Sequence, residues 1–118
     1  MKLILKSSEG GIARLVCEGE VTQADFVTEG NPFKTVLGSS CFEQKVLLDL
    51  QKAAYVDSAG VGWLVMSHKS FREQGGMLVV HSVPPMVDHV FRLLRMPTVL
   101  HLAENEASAL ALAQGGKP

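Results

Sequence analysis

The tetrapeptide Asp57-Ser58-Ala59-Gly60 is the arrangement in this chain best suited to chemistry. A serine with an acid before it and small residues after it presents an accessible hydroxyl. Three uses are open to that hydroxyl. It can accept a hydrogen bond from a first-turn N–H and cap a helix, a role worth about 1 kcal/mol. It can attack a substrate as a nucleophile. It can accept a phosphoryl group, which adds about −1.5 to −2 charges at neutral pH. Capping and phosphorylation are compatible, because a cap lies within reach of a kinase.

Nucleophilic catalysis fits least well. A nucleophile elbow needs glycine two residues before the serine, and that place holds Val56. His68, His81, His89 and His101 have no recognisable partner motif that would make one of them a general base. The same histidines are too dispersed for zinc-ligand spacing. Gly10-Gly11 and Gly75-Gly76 read as turns, since neither leads into the Gly-Lys-Ser/Thr of a phosphate-binding loop. The chain is therefore expected to be no enzyme and to need no cofactor or metal.

Composition narrows the class further. The 118 residues suit one domain, 1–118. The hydrophobic fraction is 47% and the charged fraction 19%, which fits a globular protein with its own core. Lys and Arg number 11 against 12 Asp and Glu, a net charge of −1. That balance opposes nucleic-acid binding, which needs a concentrated positive face. Cys17 and Cys41 read as reduced thiols rather than a disulfide. Met1 to Lys6 is too short and too charged for a signal peptide or membrane span, so a cytoplasmic location is expected.

The elements around Ser58 follow from periodicity. Lys2–Lys6 and Ile12–Cys17 read as strands joined at Glu9-Gly10-Gly11, an N-terminal hairpin within residues 1–21. Thr22 is placed to cap a helical turn over Ala24–Glu29. Asn31 before Pro32 signals a second short helix, ended by Gly38. Lys45–Leu50 is a nearly continuous apolar run, the mark of a strand covered on both faces. Ser58–Gln74 is the clearest helix, with Val61, Leu64, Val65, His68 and Phe71 at helical spacing and Gly75-Gly76 as its stop. Met77–His81 is another buried strand, which makes a parallel βαβ unit. A helix beginning at Pro84 or Pro85, a strand over Thr98–Leu102 and a helix over Glu104–Ala113 complete the chain. Residues 115–118 read as a frayed tail.

Taken together, Gly19-Glu20-Val21, Val46–Leu50, Tyr55-Val56-Asp57-Ser58-Ala59-Gly60-Val61-Gly62, Gly75–Val80 and the apolar helix Val87–Leu94 resemble the STAS domain family. The family takes its name from sulfate transporters and anti-sigma factor antagonists. The resemblance implies an α/β fold: one domain with a mixed sheet of four or five strands and helices packed on one side. It implies a binding module without catalysis. In the antagonist branch the serine matching Ser58 is phosphorylated by a partner that is both a serine kinase and an anti-sigma factor. The unphosphorylated form binds that partner and releases the sigma factor, and a phosphatase resets the switch. On this reading Ser58 is the phosphoacceptor, and Asp57, Ala59, Gly60, Gly62, Thr22, Asp25 and Trp63 border the partner.

Two features depart from the branch. Thr22 stands where the branch usually has an aspartate, the nearest acid being Asp25. Gly30-Asn31-Pro32 breaks a helix that is usually continuous. Both bear on which partner is bound. The resemblance also implies an alternative, a constitutive adaptor in a transporter or sensor assembly, bound without phosphate control.

Overall fold

The computed structural model describes residues 1–26 and 30–115. Six strands form one mixed sheet: β1 (Lys2–Glu9), β2 (Ile12–Val21), β3 (Lys45–Asp49), β4 (Ala53–Val56), β5 (Met77–His81) and β6 (His101–Ala103). The order is β1-β2-β3-β5-β6, with β4 pairing the far end of β2. β1 and β2 form the expected antiparallel hairpin, and every other pairing is parallel. Among the described residues four α-helices accompany them: α1 (Pro32–Leu37), α2 (Ser58–Glu73), α3 (Pro85–Leu93) and α4 (Glu106–Ala113).

β2 serves two neighbours in turn. Ile12 to Val16 align with Lys45 to Asp49 of β3, and Gly19 to Val21 align with Ala53 to Val56 of β4. The register shifts at Gly19, whose φ of 85° is open to glycine at little cost. β4 is the strand the sequence reading lacks. Its Gln51–Val56 neighbourhood has neither clear alternation nor a sustained apolar run, and its strand character comes from pairing with β2. Among the described residues the sheet therefore has six strands rather than four or five.

The core divides by strand face. Val46 and Leu48 of β3, with Leu78 and Val80 of β5, face α1, α2 and α3 through Phe33, Leu64, Phe71 and Phe91. Leu47 and Val79 point the other way, to Ile12 and to Ala109 and Ala113 of α4. The α/β class holds, but helices cover both faces rather than one. This is the physical reason β3 and β5 are apolar at successive positions.

Other boundaries differ by small amounts. Thr98 belongs to a 3-10 turn, Met96–Thr98, and β6 begins only at His101. α4 begins at Glu106 because the Asn105 side chain caps it, accepting from the Ser108 N–H. Of the turn expected over 24–29, the part seen is a 3-10 turn over Gln23–Phe26. Residues 27–29 and the 116–118 portion of the expected tail lie outside the described residues.

Candidate functional site

β4 ends at Val56 and the chain turns directly into α2. Ser58 is the first residue of that helix, and it is exposed. The capping role open to it in sequence belongs instead to Asp57. The Asp57 backbone is extended, at φ −86° and ψ −175°, and its Oδ1 accepts the Gly60 N–H at 2.9 Å. A carboxylate is the stronger acceptor and suits the positive end of the helix dipole. Ser58 is thereby released from capping. Among the described residues its hydroxyl has no hydrogen-bond partner.

The second Asp57 oxygen reaches across the fold. Oδ2 accepts the Gln23 N–H at 3.0 Å, and the Asp57 N–H donates to the Val21 carbonyl at 3.0 Å. One side chain thus fastens the end of β2 to the start of α2. On the β2 side, the Thr22 N–H donates to Asp25 Oδ2 at 2.8 Å, and the Met1 ammonium donates to Asp25 Oδ1 at 2.8 Å. Burial works to raise the Asp25 carboxyl, but those two bonds outweigh it and hold the group below its ordinary value. Thr22 acts here through its backbone N–H, where a capping side chain was expected.

The fold therefore gathers Thr22, Asp25, Asp57, Ser58 and Ala59 on adjacent turns. Gly60 and Trp63, expected at the partner surface, are buried. A Cβ on Gly60 would sit 2.7 Å from Val56 Cγ1 and 2.9 Å from the Val21 carbonyl oxygen, so this glycine lets α2 lie close on β2 and β4. The Trp63 ring stacks on Phe33 at 4.9 Å between centroids and tilts against Phe26 at 5.5 Å. Its Nε1 donates to Asn31 Oδ1 at 2.9 Å. Both residues shape the surface from beneath. Gly62 remains exposed on the same helix.

Asn31 is the organising residue that periodicity leaves hidden. Its Oδ1 also accepts the Phe33 N–H at 2.9 Å, and its Nδ2 donates to the buried Ser67 Oγ at 2.9 Å. The cap signal before Pro32 was legible, but the ties to α2 were not. Beside them runs a shallow groove of about 310 Å³, lined in part by Phe26, Pro32, Ala59, Gly62 and the exposed Met66. It opens on the flank of α2 next to Ser58.

Burial pushes the Cys17 thiol up to about 12 and raises Cys41 as well, which disfavours a thiolate at either. Among the described residues no three His, Cys, Asp or Glu side chains group as metal ligands. No helix of the described residues is long and apolar enough to cross a membrane.

Comparison with known proteins agrees with this architecture. The STAS domain model matches residues 6–109. BtrV of Bordetella bronchiseptica, provisionally named an anti-sigma factor antagonist, is 29% identical over 76 residues, covering 64% of this chain and 66% of that protein. An anti-sigma factor antagonist from Mycobacterium paratuberculosis superposes with a TM-score of 0.77 at 13% identity, covering 96% of this chain and 93% of that one. The anti-sigma factor antagonist SpoIIAA in its unphosphorylated form gives 0.70 at 16% identity, covering 99% and 100%. At such identities the two structures speak to the fold, and the family match rests on nearly the whole chain. This chain belongs to the STAS domain family.

Proposed function

We propose that this STAS domain is an anti-sigma factor antagonist-like regulator, switched by phosphorylation of Ser58. It acts as a non-catalytic interaction module in the cytoplasm. Its partners are a serine kinase that doubles as an anti-sigma factor and a phosphatase that reverses the modification. The observation that carries the reading is the exposed Ser58 hydroxyl, freed from capping by Asp57.

The physical consequences of a phosphate there are specific. The N–H groups of the first turn and the helix dipole favour an anion at this end of α2. Asp57 opposes it by like charge, although its own oxygens are engaged by Gly60 and Gln23. The domain stays folded, and the effect falls on binding. Two unit charges about 4 Å apart interact by about 1 kcal/mol in water and about 4 kcal/mol near a protein surface. One acidic partner group facing the phosphate therefore weakens binding by about one to three powers of ten. The surface that feels this change comprises Thr22, Asp25, Asp57, Ala59 and Gly62.

The test is phosphorylation by the serine kinases of the source cell, with the modified residue mapped by mass spectrometry. Phosphate is expected on Ser58 and is lost in Ser58→Ala. Ser58→Glu lowers kinase affinity at least tenfold while Ser58→Ala retains it. Equal binding by both variants, with no phosphate on Ser58, would leave a constitutive adaptor as the better account.

A further inference from the structure

The sheet ends on two unequal edges. β6 is 3 residues long, whereas β1 is 8, and among the described residues β1 pairs with β2 alone. The outward row of β1 backbone groups is a template for another strand.

The faces of β1 say which strand fits. Leu3, Leu5 and Ser8 stand opposite Cys17, Leu15 and Ala13 of β2, all in the core beneath α1, α2 and α3, so they share the inner face. Glu9 stands opposite Ile12, which packs toward α4. Ser7 stands opposite Arg14, whose Nε lies 3.8 Å from Glu106 of α4. Lys2 and Ile4, opposite Glu18 and Val16, alternate onto that same outer face. The bulge between Leu5 and Ser7 is what brings even and odd positions to one side.

This makes the strand complementary to itself. In an antiparallel copy whose two-fold axis passes between Leu5 and Lys6, Lys2 meets Glu9, Ile4 meets Ser7 and Leu3 meets Ser8. Outer residues meet outer, and inner meet inner. A strand without the bulge would set every residue in that register against the opposite face. Charge selects the same register. Lys2 and Glu9 are exposed, and neither has an ion-pair partner among the described residues, since Lys52 engages Glu18 at 3.7 Å. A register centred on Ile4 would set Lys2 against Lys6 and leave Glu9 without a partner. We propose that β1 pairs antiparallel with β1 of a second copy, forming a two-fold dimer whose sheet runs through both chains.

The contact is limited. Beside the axis it covers Leu5, which is 42% exposed. A bulge and lysines usually blunt an edge, and the two Lys6 side chains near the axis oppose association. A strand edge also buries less than the usual 800 Å² or so per partner, so a dissociation constant of about 100 µM is expected.

Sedimentation equilibrium of the full chain from about 10 µM to about 1 mM tests the proposal. The mass is expected to rise from one chain to two. Lys2→Glu and Glu9→Lys each weaken the dimer about tenfold, because the axis counts each change twice. The double variant restores it, a rescue that general loss of stability would not give. Glu9→Lys faces Ile12, so it keeps the test intact even if Lys2→Glu, opposite Glu18, disturbs the hairpin. Lys6→Gln tightens the dimer. Cross-linking reads the register: in oxidised glutathione, Ile4→Cys mixed with Ser7→Cys forms a disulfide between copies faster than either variant alone.

A single-chain mass up to about 1 mM would overturn the proposal. So would a dimer that Lys2→Glu leaves unchanged and that gives no cross-link between positions 4 and 7. Loss of that dimer in Leu93→Asp would place the contact on the exposed face of α3 instead.

Discussion

At its first turn α2 meets solvent through Ser58, whereas just past its last turn the chain is wedged against neighbouring backbone. The N-terminal end is held by polar bonds around one carboxylate, and its first residue is left free. At the other end Gly75 adopts a φ of 89° and the Gly76 N–H donates to the Phe71 carbonyl at 2.8 Å. A Cβ on Gly76 would run into the carbonyl oxygens of Phe42 and Gln44. The contrast separates two kinds of small residue in one motif set. Some are small so that the fold can close, and others leave the surface beside Ser58 open.

The most damaging way to probe this contrast is Gly76→Ala. Close-packed backbone cannot yield as a side chain does, so a loss of about 3 kcal/mol or more is expected in urea denaturation. A loss below about 1 kcal/mol would show that this end is loosely packed after all. Gly60→Ala comes next, at about 1–3 kcal/mol, because part of its clash is with valine methyls that can shift. A neutral result would move Gly60 from the packed class to the open one.

Asp57→Ala should cost about 1 kcal/mol, the usual value of a cap. Its loss should also speed hydrogen exchange at the Gly60 and Gln23 amides, the two donors it engages. Protection unchanged at Gln23 would mean that the β2–α2 tie is dispensable. Ser58→Glu closes the series, with a change within about 0.5 kcal/mol. A large destabilisation there would erase the difference between the two ends, because Ser58 would then be part of the folding machinery.

A pH titration sharpens the same division between inside and outside. His81 is buried, its Nδ1 lies 2.8 Å from Ser82 Oγ, and burial holds it below its ordinary 6.5, against the pull of Asp49 and Glu106. The unfolded chain therefore takes up the proton first as pH falls. The contribution is fully present above pH 6.5 and is lost progressively as pH drops toward the folded value. His81→Gln should flatten this part of the stability profile. An unchanged profile would assign the acid sensitivity to other groups.

Much of this architecture is legible in the one-dimensional pattern, and the reason is local. The turn at Gly10-Gly11, the cap at Asn31 and the stop at Gly75 are demands made by neighbouring residues on backbone angles. The apolar runs of β3 and β5 likewise announce burial on both faces. The same run did not say what lay on the second face. α4 has a short, alanine-rich sequence with little to direct it, and it is oriented by the Leu47 and Val79 surface that receives it.

The site divides in the same manner. From residue types alone came the strand-to-helix junction, the acid beside Ser58, and the small residues that follow. Which side chain caps the helix was decided by the fold, because Asp57 bonds to Gly60 and also to Gln23, 34 residues away in sequence. Whether Trp63 faces in or out was decided by Asn31, 32 residues before it. β4 exists because the bulged end of β2 offers it a ladder. Local backbone preference is written residue by residue, whereas the pairing of distant polar groups and the choice of buried face depend on the assembled chain.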